Sequence, residues 1–145
     1  MLAAGGPVTD PSHPWAASGG PVRLEMELPR EAGRGVRIPI TLRLVNRSDR
    51  PEDVALQGRP PAFDVVVTDR QGRPRWRRLE GEVIPAVLQL RTLAPGEAIV
   101  FETGWDQRDA SGEELPPGDY VVTGRVPSDP PAVFQARPRP LRLLP

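Results

Sequence analysis

The chain has 145 residues, which include 20 prolines, 14 glycines and no cysteine, and its 19 basic residues balance 19 acidic residues. This length fits one domain, and so many prolines disfavour long helices. Because every basic residue is an arginine and cysteine is absent, the sequence excludes a Gly-Lys-Ser/Thr phosphate loop, a Schiff-base lysine, a thiol nucleophile and a cysteine-built zinc site.

Residues 1–20 contain small residues and three prolines without apolar periodicity, which predicts a flexible leader before a single domain over residues 21–145. The segment lacks the charged start and apolar run of a secretory signal, and nowhere does the chain offer the about 20 apolar residues of a membrane span. The prediction is a cytoplasmic protein without a membrane partner. His13 lies in this leader, where nothing in the pattern holds it beside a hydroxyl, so no Ser-His-Asp triad is expected.

After the leader, apolar and polar residues alternate in short segments, as is typical of strands with one buried face. Residues 84–93 fit either a strand or one helical turn. The clearer segments cover residues 22–28, 36–44, 54–56, 63–68, 73–78, 99–105, 120–126 and 133–144. Turn signals separate them, so the sequence predicts an all-β fold, an antiparallel β-sandwich of about eight strands.

Three positions carry more local predictions. Pro39 has no N–H to donate to a neighbouring strand, which places it at a sheet edge or a bulge. Gly104 interrupts the alternation of its strand and predicts a β-bulge. Tyr120 follows a turn that contains Pro116 and Gly118. A tyrosine at such a corner, whose hydroxyl bonds back to the turn's backbone, recurs in immunoglobulin-like sandwiches.

A cluster of arginines surrounds Trp76, namely Arg70, Arg73, Arg75, Arg77 and Arg78. A basic patch beside an aromatic ring can neutralise and stack on nucleic acid. However, Arg73, Arg75 and Arg77 recur at every second residue, which is typical of the outward face of a strand whose charges prevent edge-to-edge pairing. The net charge is zero, so the second interpretation is favoured and no nucleic-acid partner is predicted.

Three motifs, FDVVVTDRQGRPRW, LAPGEAIVFETGWD and LPPGDYVVTGRV, occur in this order between residues 63 and 126. In order and spacing they resemble the intracellular proteinase inhibitor family known as BsuPI. Residues 83–88 depart from the pattern, since the family tends to have a polar segment there. The residues that carry the resemblance include Phe63, Trp76, Pro95, Gly96, Trp105, Gly118 and Tyr120.

The resemblance implies an immunoglobulin-like β-sandwich and a non-enzymatic role in protein binding. A founding relative inhibits an intracellular subtilisin-like serine protease, so a protease of that kind is the expected partner. No catalytic residue, cofactor or metal is expected. No reactive residue is transferred from the family, and the oligomeric state stays open.

An inhibitor of this kind needs a stiff loop that loses little entropy on binding, and prolines supply stiffness. Residues 57–62, with Arg59, Pro60 and Pro61, are one candidate. Residues 113–118, with Leu115 and Pro116, are the other, because Leu115 would suit an apolar specificity pocket. The alternative is that both segments are ordinary corners of a sandwich.

Two other classes of function remain open. The chain fits a structural or interaction module that docks another protein through a sheet edge. An enzyme is least favoured, because only carboxylate pairs such as Glu80 with Glu82, or Glu113 with Glu114, remain as machinery, and exposed carboxylates are usually solvated. Oxygen-bearing side chains also alternate along residues 106–113, but without an EF-hand glycine they are interpreted as a polar loop.

Overall fold

The computed structural model describes residues 20–145. The predicted flexible leader, apart from Gly20, and its His13 lie outside the described residues. In the described part the chain forms eleven strands and no helix, hence no helix able to span a membrane. The strands are β1 (Val22–Glu27), β2 (Glu31–Ala32), β3 (Ile38–Asn46), β4 (Glu52–Gln57), β5 (Asp64–Thr68), β6 (Pro74–Arg77), β7 (Leu88–Leu93), β8 (Ala98–Trp105), β9 (Gly118–Pro127), β10 (Val133–Gln135) and β11 (Arg139–Leu143).

These strands form two main sheets and a separate two-stranded ribbon. The smaller sheet has the order β1-β3-β8, and the larger sheet has the order β2-β11-β9-β5-β6, with β10 also paired to β9. Strands β4 and β7 pair with each other to form the ribbon. Apolar side chains from both sheets and the ribbon fill one continuous core, so the predicted all-β sandwich is confirmed, with eleven strands rather than about eight.

The alternating sequence determines which side chains reach this core. On β3, Ile38, Ile40 and Leu42 are buried while the residues between them face outward. On β9, Tyr120 and Val122 are buried by the same alternation. Burial of such apolar side chains is the main stabilising contribution to the fold, at about 25 cal/mol per Å².

Pro39 fits its prediction locally, although β3 is the central strand of its sheet. The pairing of β1 with β3 ends where Glu27 meets Thr41, while the pairing with β8 continues to Ile38 opposite Trp105. At Pro39, β3 therefore has a neighbour on one side, and the missing N–H leaves no gap in the hydrogen bonding between strands.

The prediction of a β-bulge at Gly104 is wrong. The register between β3 and β8 is continuous, and Gly104 lies directly opposite Pro39. The glycine is needed for another reason, because a Cβ built on it would lie 2.6 Å from Cζ of Arg37. Residue 104 is therefore small so that the side chain of Arg37 can lie across the strand.

Two strand boundaries also differ from the prediction. Residues 133–144 form two strands, β10 and β11, separated by Ala136, Arg137 and Pro138. Both pair with β9, at opposite ends of it. Glu80 and Glu82 would share a face if the strand predicted at residues 73–78 continued past them, but the chain turns after β6, where Glu80 N–H donates to the carbonyl of Arg77. The two carboxylates therefore do not share a strand face.

The corner before β9 has the predicted immunoglobulin-like form. The hydroxyl of Tyr120 donates a 2.6 Å hydrogen bond to the carbonyl of Pro116. Burial raises the pKa of the Tyr120 hydroxyl, so the phenol keeps its proton and donates at neutral pH. Gly118 lies between them with φ of +144°, a conformation that favours glycine.

Candidate functional site

The aromatic residues of the family motifs hold the two sheets together. The rings of Phe63 and Phe101 lie 5.2 Å apart, and those of Trp76 and Trp105 lie 5.6 Å apart in a stacked arrangement. The guanidinium of Arg78 lies 3.6 Å from the centroid of the Phe63 ring and donates to the Phe63 carbonyl at 2.7 Å. Burial lowers the pKa of Arg78. These contacts make the motif aromatics part of the fold rather than of a contact surface.

The turn with Pro95 and Gly96 is fixed by a buried asparagine. Gly96, at φ of +81°, donates its N–H to the carbonyl of Asn46 at 2.8 Å. The side chain of Asn46 is fully buried and donates to the Leu93 carbonyl at 2.9 Å. Oδ1 of Asn46 also accepts the N–H and the hydroxyl of Ser48, at 2.9 and 2.7 Å, in the polar turn after β3. Asn46 therefore ties the end of β3 both to that turn and to the turn between β7 and β8.

The arginines around Trp76 occupy a sheet edge, as their spacing indicated. Strand β6 is an outer strand of the larger sheet. Arg73 and Arg75 approach the carboxylate of Asp69 at 3.3 and 3.4 Å. The backbone N–H of Arg73 is the main cause of the lowered pKa of Asp69. Part of the positive charge is therefore paired within the hairpin between β5 and β6.

One of the two predicted contact loops points inward. Leu115, which was expected to enter a specificity pocket, is 7% exposed and belongs to the core. Its N–H donates to the carbonyl of Gln107 at 3.0 Å, and the carbonyl of Pro116 is bonded to Tyr120. The apolar side chain fills the protein's own interior, so residues 113–118 do not present Leu115 to a partner.

The other predicted loop, residues 57–62, is held by hydrogen bonds at its base, and its tip is exposed to solvent. Gly58 donates its N–H to the Val87 carbonyl at 2.8 Å, and its own carbonyl accepts a 2.6 Å hydrogen bond from the side chain of Gln89. Ala62 N–H donates to the Gln57 carbonyl at 2.7 Å. Arg59 and Pro60, at the tip, are exposed. The peptide bond between them is cis.

A second support comes from the loop between β9 and β10. The side chain of Gln57 donates to the carbonyl of Ser128 at 2.8 Å, and the hydroxyl of Ser128 donates to the carbonyl of Ala55 at 2.8 Å. Ser128 itself is 8% exposed. Residues far apart in sequence therefore hold the base of the loop from two sides.

Sequence analysis missed an apolar surface beside this loop. Four large side chains are exposed on or just before β7: Val83 (90%), Val87 (40%), Leu88 (48%) and Leu90 (79%). Across the described range β7 pairs with β4 and with no other strand, so one of its edges is free. In the sequence, this apolar surface is indicated by the departure of residues 83–88 from the family pattern. We call Val83, Val87, Leu88 and Leu90 the β7 surface.

A groove of about 570 Å³ lies on the larger sheet, between Asp64, Glu80 and Arg125. Its charges are mixed. One oxygen of Asp64 accepts backbone N–H groups from Val65 and Leu79, at 2.9 and 3.0 Å. The Nε of Arg125 is buried and makes no hydrogen bond within residues 20–145. The described residues that line this groove include no nucleophile beside a base.

The polar loop at residues 106–113 uses its oxygens internally. One carboxylate oxygen of Asp109 accepts hydrogen bonds from the hydroxyl and N–H of Ser111 and from the N–H of Glu113. The bond from the Ser111 hydroxyl is the main cause of the lowered pKa of Asp109. Between residues 20 and 145 no three acidic or histidine side chains are grouped as metal ligands.

A family model described as "Intracellular proteinase inhibitor", BsuPI, matches residues 23–130. No curated protein matches. Among solved structures, the CARDB domain of a Pyrococcus furiosus protein is 15% identical, with a TM-score of 0.46 over 85% of this chain and 87% of that chain.

A β-glucosidase from Listeria innocua is also 15% identical, with a TM-score of 0.42 over 86% of this chain, and this chain spans 16% of that enzyme. The alkylpurine DNA glycosylase AlkC from Pseudomonas fluorescens is 18% identical, with a TM-score of 0.40 over 82% of this chain and 31% of that chain. Likenesses this distant carry no conclusion about this chain.

Proposed function

Because the chain belongs to the BsuPI family of intracellular proteinase inhibitors, we propose that it is a non-enzymatic inhibitor that occludes the active site of a subtilisin-like serine protease with a rigid loop. The loop is residues 57–62, and Arg59, Pro60 and Pro61 form its contact surface. The family description supports a protease partner in the same intracellular compartment, and we place both proteins in the cytoplasm.

The observation that carries this proposal is that the loop is hydrogen-bonded at its base and exposed at its tip. Its base is held by hydrogen bonds to the carbonyls of Val87 and Ser128 and by one from the side chain of Gln89, while Arg59 and Pro60 are exposed. A loop that is already ordered before binding loses little conformational entropy when it enters a protease cleft. Such an inhibitor performs no chemistry of its own, so it needs neither a catalytic residue nor a cofactor.

A second candidate function is a protein-interaction module that has no protease target. The β7 surface favours it, because exposed apolar side chains on a strand with a free edge are typical of sites where another protein adds a strand. In this function the contact is made by Leu88 and Leu90 rather than by the loop.

The test is an inhibition assay with the purified full chain, an intracellular subtilisin-like serine protease and a chromogenic peptide substrate. Occlusion of the active site raises the apparent KM and leaves kcat unchanged. Absence of inhibition at micromolar concentrations of the chain would refute the proposal.

Two variants separate contact through the loop from contact through the β7 surface. Pro60→Gly together with Pro61→Gly loosens the loop, because each proline fixes one φ angle, and this variant should inhibit less well. Leu90→Ser changes the β7 surface alone and should inhibit as the wild type does. The opposite pattern, in which Leu90→Ser abolishes inhibition and the loosened loop has no effect, would show that the β7 surface rather than the loop contacts the protease.

A further inference from the structure

We infer that Arg59 is the specificity-determining residue of this inhibitor, and that the target protease has a carboxylate in its primary specificity pocket. This inference rests on the proposed function and extends it, since it names the chemistry of the partner's pocket. Three features support it. They are the unbonded polar groups of Arg59, the restricted backbone on either side of its charge, and the burial of Leu115, which was the apolar candidate.

The first feature is that the backbone N–H, the carbonyl and the guanidinium of Arg59 are all available to a partner. Across residues 20–145, Arg59 makes no hydrogen bond or ion pair through its N–H, its carbonyl or its guanidinium. Its neighbour Gly58, in contrast, has both N–H and carbonyl bonded. A residue that enters a protease pocket must offer its side chain there and its backbone groups to the enzyme's cleft.

The second feature is that the backbone on both sides of Arg59 is restricted, so that its positive charge is held in place at the tip of the loop. Pro60 follows Arg59 directly and Gly58 precedes it at φ of +89°, so the backbone on both sides is restricted or tied. A guanidinium carries a rigid fork of donors that pairs with both oxygens of a carboxylate. Arginine is also among the residues that contribute most to binding at protein interfaces.

The third feature is the burial of Leu115. Of the two predicted contact loops, residues 113–118 have their apolar candidate in the core, and residues 57–62 offer an arginine. A protease pocket that selects a cation holds a buried carboxylate, whereas a pocket that selects large apolar side chains is an uncharged slot. A guanidinium in an uncharged slot would lose its hydration without gaining a partner, which is unfavourable.

The experiment measures inhibition of the intracellular subtilisin-like protease by the wild type, Arg59→Ala, Arg59→Lys and Arg59→Glu, with Arg91→Ala as the matched control. Arg91 is likewise exposed, on β7, so its removal changes the net charge equally. We expect Arg59→Ala to raise the inhibition constant at least about tenfold. Arg59→Lys should fall between the wild type and alanine, Arg59→Glu should be weakest, and Arg91→Ala should stay within about twofold of the wild type.

An independent test of the pocket compares the protease's kcat/KM for two peptide substrates, one with arginine and one with leucine before the cleaved bond. A carboxylate in the pocket predicts a higher kcat/KM for the arginine substrate. Inhibition by the wild type that Arg59→Ala leaves unchanged, or a protease that prefers leucine, overturns this inference and leaves the inhibitor proposal standing. A wild type that does not inhibit overturns both.

Discussion

The two turns predicted as contact loops each contain a residue followed by two prolines, and they are used in opposite ways. In the corner before β9, Leu115 enters the core and the carbonyl of Pro116 accepts the Tyr120 hydroxyl. In the loop after β4, Arg59 is exposed, and the hydrogen bonds that the loop makes with residues 20–145 involve Gln57, Gly58 and Ala62 at its base. The residue before the prolines decides the outcome, because an apolar side chain gains by burial and a guanidinium does not.

Stiffness therefore does not by itself identify a contact loop. Both turns contain prolines that restrict the backbone. In the corner this restricted backbone closes the sandwich, whereas in the loop it is available for contact with a partner. The comparison predicts that substitutions in the corner affect stability first, whereas substitutions at the tip of the loop affect binding first.

The largest difference is expected between Leu115→Ala and Arg59→Ala. Removal of a buried leucine side chain costs about 2–5 kcal/mol of unfolding free energy, whereas truncation of an exposed side chain stays within about 0.5 kcal/mol. Urea denaturation of both variants measures this. Equal destabilisation by the two substitutions would contradict the contrast between the turns.

Gly58→Ala tests the bracing of the loop. Gly58 has φ of +89°, and a Cβ on it would lie 3.1 Å from the carbonyl oxygen of Pro60. A residue other than glycine in this conformation costs about 1–3 kcal/mol. We expect lower stability and weaker inhibition together, measured by denaturation and by titration against the protease. Gly35→Ala is the control, since Gly35 also has positive φ but its Cβ would meet nothing within 4 Å. It should lose stability without losing inhibition.

Tyr120→Phe removes the hydrogen bond that closes the corner. The loss of one such bond costs about 1 kcal/mol, and the carbonyl of Pro116 is left without its donor. Thermal denaturation should show a lower Tm, while inhibition of the protease should be unchanged. A loss of inhibition at unchanged Tm would show that the corner takes part in contact.

The smallest effect is a pH dependence near the corner. Hydrogen bonds, first from the Ser111 hydroxyl, lower the pKa of Asp109 in the folded state, so its contribution to stability is fully present above the carboxyl's unfolded pKa. The contribution is lost as the pH falls through the lower, folded pKa. Denaturation at a series of pH values should show a shallower acid-side decline for Asp109→Asn than for the wild type. Identical declines would contradict this assignment.

Local sequence patterns predicted the strands well, because burial alternates along them. The inward face of Tyr120 and Val122 on β9 follows from this alternation alone. The role of Gly104 did not follow, since it depends on the side chain of Arg37, the residue before the neighbouring strand β3. A single-strand pattern contains no information about such a contact.

The candidate site divides in the same way. The loop at residues 57–62 was evident from its prolines, but its bracing comes from Gln89 and Ser128, which are distant in sequence. The burial of Leu115 was hidden for a similar reason, because an apolar residue at a corner fits a pocket of a partner and the protein's own core equally well. Only the packing of the whole sandwich separates the two.

The central claim is that the chain fills the protease active site. Its most direct test compares binding to the protease in two forms: a variant whose catalytic serine is replaced by alanine, and the enzyme sulfonylated on that serine by phenylmethanesulfonyl fluoride, whose phenyl group fills the pocket. Occlusion predicts binding to the alanine variant, and a Kd for the sulfonylated enzyme that is weaker by at least about tenfold. Equal Kd values for the two forms would show that the chain binds elsewhere.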